Sequence, residues 1–311
     1  MAPRATAFGL DVWADRQLDF LHGGEAEATG RRLDLLTRAT PPELAWPASA
    51  TLISDERDPK GAVVFQIESA AVGYRISGPY FGSAVVARDG ATIAGRPGVG
   101  GVTAWQRLLI AQVLPFAAVL RGLEVLHAGA VALDGGAVAI VGRSGAGKTS
   151  LAVALSRGRG AFLADDVLAL ERRDGVLLAH PGPPVAGVAR PEAERLRRLG
   201  RFDAGAILAE DEREAMMAVA PRPAPTPLRA ILVLDRRPDG PGAPRFEAVV
   251  GGQELLAATF NLLLLDPERL EGLLDVCALA AAGLVERVSV GPGVDASALA
   301  RAVERRLGVE R

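Results

Sequence analysis

The sequence predicts an α/β core preceded by a smaller β-rich part, and three observations carry that prediction. The apolar run Ala137–Val141 enters a glycine-rich loop, Gly142-Arg-Ser-Gly-Ala-Gly-Lys148-Thr149, from which the helical stretch Thr149 to Arg157 departs. A second apolar run, Ala161 to Ala164, ends in the pair Asp165-Asp166. The first hundred residues instead show short β-like pieces separated by Gly, Pro and Asp.

Those N-terminal pieces are Ala62 to Ile67, Ala71 to Ile76, Ser83 to Ala87 and Ala91 to Ala94, giving a β-rich domain over 1–100. Trp105, Leu108, Leu109, Gln112, Val113, Phe116 and Leu120 recur at helical spacing, so 101–125 reads as a connecting helix kinked at Pro115. The remaining 126–311 form the α/β domain. There, Ala128 to Leu133 and Ala137 to Val141 flank Asp134-Gly135-Gly136 and read as a hairpin. Pairing Leu133 with Ala137 sets His127 opposite Arg143; a slip of one residue sets it beside Gly142. Either register brings His127 to the mouth of the glycine loop.

The strand from Ala161 is expected to continue past the acid pair through Val167–Leu170 to Glu171. Pro181 to Pro191 and Ala220 to Pro227 read as proline-rich connections, and Leu228 to Leu234 as a strand with Phe246 to Val250 as its hairpin partner. Helices are expected at 252–265 and 267–283, then a strand at 285–290 and a final helix at 296–307.

The loop matches G-x-x-x-x-G-K-[ST] at every fixed position and lies between a strand and a helix, the context its chemistry needs. Gly142, Gly145 and Gly147 let backbone N–H groups approach phosphate oxygens, and the helix N-terminus adds partial positive charge. Lys148 neutralises the outer phosphates, while Thr149 offers a hydroxyl to Mg2+. The cofactor-binding stretch is therefore Gly142, Arg143, Ser144, Gly145, Ala146, Gly147, Lys148, Thr149 and Ser150, with ATP or another nucleoside triphosphate as the ligand. Strand ends on the loop side bring Asp165 and Asp166 toward the same site. Glu171, Arg236 and Arg237 are weaker candidates, each more simply read as a surface charge.

Composition narrows the field. The chain has 311 residues, 49% hydrophobic, with 35 basic and 37 acidic residues in no stripe, so nothing favours nucleic acid. One cysteine, Cys277, excludes an intrachain disulfide and suits a core thiol in the cytoplasm. The N-terminus has no signal-like apolar run, and Leu108 to Leu120 is interrupted by Gln112 and Pro115, so neither secretion nor a membrane span is expected.

The run LHAGAVALDGGAVAIVGRSGAGKTSLAVALSRGRGAFLADDVLALE, residues 126 to 171, resembles the catalytic core of the HPr kinase/phosphorylase group. The likeness rests on a His before a hairpin, a phosphate loop entered from that hairpin, the short step from Lys148 to Asp165 and the doubled Asp. It implies a phosphoenolpyruvate-carboxykinase-like P-loop fold that moves phosphate from a nucleotide to a Ser or Thr hydroxyl of a peptide or protein. It further implies Asp165 as the catalytic carboxylate, His127 as its contact, and Asp166 with Thr149 at Mg2+. Oligomers are common in that group, which leaves a homo-oligomer open, as is pyrophosphate as donor. The group's glycine-rich phosphorolysis signature is missing; the matching stretch reads AHPGPPVAGVARPEAERLRRLG. Beyond residue 171 the likeness shifts to HPr-kinase-like proteins of modified-peptide and lasso-peptide gene clusters. Two other functions stay open on the sequence: a kinase of a sugar or amino acid, and a nucleotide sensor without transfer activity.

Overall fold

A computed structural model describes residues 4–21, 28–38, 40–158, 160–198, 206–212, 214–220, 224–249, 253–260 and 267–309. The chain divides into two compact units, Met1–Leu123 and Glu124–Arg311. Together they form a mixed α/β protein with three sheets among the described residues.

The first unit holds an eight-stranded sheet in the order β1-β2-β3-β8-β7-β6-β5-β4. Its strands are β1 (Arg4–Ala7), β2 (Leu10–Ala14), β3 (Arg32–Leu36), β4 (Thr51–Arg57), β5 (Val63–Ala70), β6 (Gly73–Gly78), β7 (Gly82–Ala87) and β8 (Thr92–Pro97). The first four were not evident in the sequence. β2, β3 and β8 pair in parallel, which requires long-range register instead of a hairpin turn.

The expected connecting helix belongs to this first unit. It runs as α1 (Gly101–Leu108), a π-helical turn (Leu109–Val113) and α2 (Leu114–Leu120). Pro115 has no N–H and crowds the preceding turn, so the widened π turn directly before it absorbs the defect. The helix is apolar and long enough to cross a membrane, yet 72% of its apolar window is buried inside the protein. Trp105, Leu109 and Leu114 are fully buried, the pattern of a core helix.

The second unit is built on a nine-stranded sheet. Its path is β12-β10-β11-β18-β14-β13-β9, with β20 beside β18 and β19 beside β20. The strands are β9 (Glu124–Leu126), β10 (Ala128–Leu133), β11 (Gly136–Gly142), β12 (Ala161–Ala164), β13 (Leu168–Arg173), β14 (Val176–His180), β18 (Thr226–Arg236), β19 (Arg245–Ala248) and β20 (Val285–Val290). A three-stranded sheet, β15-β17-β16, comprises β15 (Val185–Ala189), β16 (Ile207–Glu210) and β17 (Glu214–Ala218). On one side of the large sheet, α3 (Lys148–Ser156) and α7 (Ala296–Arg306) bury Leu151, Leu155, Leu299 and Val303 against Val138, Ile140 and Leu232. On the other, α6 (Pro267–Ala281) buries Leu273, Val276 and Cys277 against Ala139 and Ile231. Each fully buried Leu or Val contributes about 1.5–3 kcal/mol.

Several expectations require correction. The hairpin closes with Leu133 opposite Gly136 and Ala128 opposite Val141, one residue from the expected register. The turn is Asp134-Gly135 alone, with Gly135 at φ +88°, a conformation glycine permits and one that shortens the loop by a residue. The strand from Ala161 does not pass through the acid pair: β12 stops at Ala164, and β13 pairs instead with β9 and β14. The span 181–191 is not merely a connection, because β15 and the start of α4 (Arg190–Arg198) lie in it. β19 pairs with β20, not with β18. Of the helix expected at 252–265, α5 (Gln253–Ala257) is present, while 252 and 261–265 lie outside the described residues.

Candidate active site

Both β11 and β12 run antiparallel to β10, which lies between them, so their C-terminal ends open on the same edge. β11 delivers the glycine loop there and β12 delivers the acid pair. Gly142, at φ +151°, passes so near β18 that a Cβ would lie 2.6 Å from the Leu234 carbonyl oxygen. Gly145 and Gly147 take φ +77° and +98°, with open space where a Cβ would stand. Gly147 is the N-cap of α3 and supplies no side-chain cap, which leaves the first helical N–H groups for an anion.

Lys148 is buried, and its Nζ donates to the Gly142 carbonyl at 3.2 Å, folding the side chain back over the loop. Thr149 Oγ1 donates to Asp165 Oδ1 at 2.8 Å. Gly187 N–H, on β15, donates to Asp165 Oδ2 at 2.7 Å. The Asp165 carboxylate is thereby fixed between the loop helix and the small sheet. Burial, then the adjacent charge of Asp166, raises its pKa to about 7, with Glu214 adding to the rise and the two hydrogen bonds opposing it.

Asp166 is one of three non-glycine residues with positive φ among the described residues, at +56°. Val167 N–H donates to the Asp165 carbonyl at 2.6 Å, so residues 165–167 form a γ-turn of the strained, positive-φ kind. The turn throws the two carboxylates in different directions. Asp165 meets the loop helix, whereas Asp166 is exposed and lies 3.9 Å from His127 Nε2. Burial holds the His127 pKa below its usual value, helped by Lys148 and opposed by Asp166, so the ring is neutral at pH 7. The resemblance implied His127 as the contact of Asp165; the carboxylate that the structure sets beside His127 is Asp166, while Asp165 is bound by Thr149.

The remaining candidates separate. Glu171 hydrogen-bonds His180 Nε2 at 2.9 Å and pairs with Arg173, so its carboxylate is committed on β13. Arg236 donates to the carbonyls of Ala146, Gly291 and Val294, at 3.2, 2.9 and 3.0 Å. It is a strut beneath the loop. Arg237 is paired with Asp235. Two residues at the site were not evident in the sequence: Gly187, and Glu214 on β17, whose Oε2 would lie 3.1 Å from a Cβ at Gly187.

Among the described residues no group of three or more His, Cys, Asp and Glu is arranged to hold a metal by itself. Thr149, Asp165 and Asp166 offer only hard oxygen donors. That set fits Mg2+, which takes one or two carboxylates and completes its shell with phosphate oxygens and water.

No family model matches the sequence, and no curated protein matches it. A solved structure of the Hpr(Ser) kinase/phosphatase from Coxiella burnetii is similar over 60% of this chain and 99% of that chain, at 15% identity and a TM-score of 0.30. This is a structural relationship only.

Proposed function

We propose that the second unit is a P-loop phosphotransferase domain with a phosphoenolpyruvate-carboxykinase-like core, which transfers phosphate from ATP to a Ser or Thr hydroxyl of a peptide or protein in the cytoplasm. The observation that carries this reading is the Asp165 carboxylate, hydrogen-bonded to Thr149 at the start of the loop helix and raised to about 7. A general base works best with a pKa near the operating pH. Asp165 Oδ2 is held by Gly187, while Oδ1 is held by one hydroxyl that can rotate away. Oδ1 is therefore the oxygen that accepts the acceptor's proton.

The loop N–H groups and Lys148 bind the triphosphate and spread the charge of the transferring group. Thr149 and Asp166 would hold Mg2+, which supplies further charge neutralisation when bound. His127, neutral and next to Asp166, orients that carboxylate. Gly142 to Ser150 form the nucleotide cradle, in which Arg143 and Ser144 are exposed.

The test uses the intact protein with magnesium, γ-labelled ATP and a pool of Ser/Thr peptides. Acid-stable label on peptide, abolished by Lys148→Ala, supports the reading. Label confined to sugars or amino acids added alongside would make it a small-molecule kinase. Nucleotide binding with no acceptor labelled would make it a sensor.

A further inference from the structure

The first unit has a cleft of about 460 Å³ on the sheet face turned away from α1. Ile76 and Ala84 are buried; their neighbours Ser77 and Ser83 point to the opposite face, as strand alternation requires. Across that face Gln66 pairs with Ser77, Ser77 with Ser83, and Ser83 with Arg96. Four polar side chains from four consecutive strands therefore form one row along the cleft floor, spanning roughly 14 Å at the usual strand spacing. Pairs further along the same face, Glu68 with Arg75 and Val85 with Ala94, lead to a region packed by Leu44 and Trp46. The polar end lines the cleft.

The row is equipped for a ligand. The Arg96 guanidinium and the Ser77 and Ser83 hydroxyls make no side-chain hydrogen bond or ion pair among the described residues, while Gln66 donates to Glu68 at 3.1 Å. The rest of the lining is Gly78, Gly82 and Gly98 together with Val63, Pro79 and Pro97, and Gly98 approaches so closely that a Cβ there would lie 2.5 Å from the Pro79 carbonyl oxygen and 2.6 Å from Gly82 N. Beside it, Tyr80 and Val99 are large apolar side chains left 58% and 86% exposed.

We propose that this cleft binds a short acidic peptide segment laid across strands β5 to β8, with a carboxylate on Arg96. A free ion would occupy only the Arg96 end. About four extended residues, at roughly 3.3 Å each, match the length of the row. Peptide amides suit the serine hydroxyls and the Gln66 amide, which both donate and accept. Val63, Pro79 and Pro97 in the lining offer apolar contact to the peptide's side chains, and Arg96, the cation of the lining, selects an acidic residue. The cleft lies wholly in the first unit and does not depend on the nucleotide site.

Fluorescence anisotropy of a fluorescein-labelled hexapeptide of alternating Glu and Ser, titrated with the full chain in the absence of nucleotide, tests this. Saturable binding is expected, weakened at least tenfold by Arg96→Gln and by the double change Ser77→Val, Ser83→Val, and absent for the matching Gln/Ser peptide. Arg96 is exposed and has no side-chain partner among the described residues, so Arg96→Gln should melt like the parent; the melting curve checks that the loss is local. No saturable binding, equal binding by Arg96→Gln, or displacement by inorganic phosphate at the peptide's own concentration would each overturn the proposal.

Discussion

At the level of single residues, Asp165 bears the most weight. Asp165→Asn keeps its shape but cannot take a proton, so transfer is expected to fall about 10²- to 10⁴-fold with nucleotide affinity nearly unchanged. Its raised pKa also has a stability sign. An acid whose folded pKa lies above the unfolded 3.8 keeps its proton longer when folded, so native stability declines as pH rises from about 4 to about 7. Thermal melts of Asp165→Asn against the parent should therefore show a relative gain that grows over that window and levels off above it; a gap independent of pH would contradict the burial of this carboxylate. Asp166 poses a different question because its backbone is left-handed. Asn tolerates that conformation and Val does not, so Asp166→Asn should melt close to the parent while Asp166→Val loses about 1–3 kcal/mol. Lys148, Thr149 and the two acids were legible in the sequence because each belongs to a short local run with one chemical use. Gly187 and Glu214 were not: only the pairing of β15 with β17 brings them to Asp165.

At the level of elements, the loop depends on its supports. Arg236 ties β18 to the loop carbonyl of Ala146 and to the segment between β20 and α7. Arg236→Ala strands three carbonyl acceptors, and a loss of about 1–3 kcal/mol in denaturant unfolding is expected, together with a raised KM for nucleotide. Unchanged KM would mean the loop holds its shape unaided. The sequence reads such an arginine as a surface charge because its partners lie 55 to 90 residues away. The hairpin register illustrates the other kind of miss. Asp134-Gly135-Gly136 admits both a two-residue and a three-residue turn, and one residue of difference moves His127 from Arg143 to Gly142. Strand, loop and helix order survived that ambiguity because apolar runs on both sides fix it. The break at Asp166 did not show, since Val167 and Leu168 continue an apolar pattern across a γ-turn.

On the scale of the whole molecule, every residue of the proposed nucleotide site lies in the second unit, and the boundary falls between Leu123 and Glu124. β9 begins at that boundary, pairs with β13, and carries Glu124, which accepts from Arg269 of α6 at 3.2 Å. A fragment of 124–311 is expected to melt cooperatively and bind nucleotide, whereas one starting at 127 loses β9, its pairing with β13 and the Glu124–Arg269 contact, and is expected to melt lower. Equal melting of the two fragments would show that β9 is dispensable. The β-rich character of the first unit was visible in the sequence, but the parallel pairing of β2, β3 and β8 was not, because no local turn announces a parallel pair.

The most direct measurement is equilibrium binding of magnesium ATP to the parent and to Lys148→Ala, by calorimetry at pH 7.5. Micromolar binding by the parent, weakened at least a hundredfold in Lys148→Ala, is the expected result; no binding by the parent, or equal binding by both, would contradict a triphosphate site at 142–149.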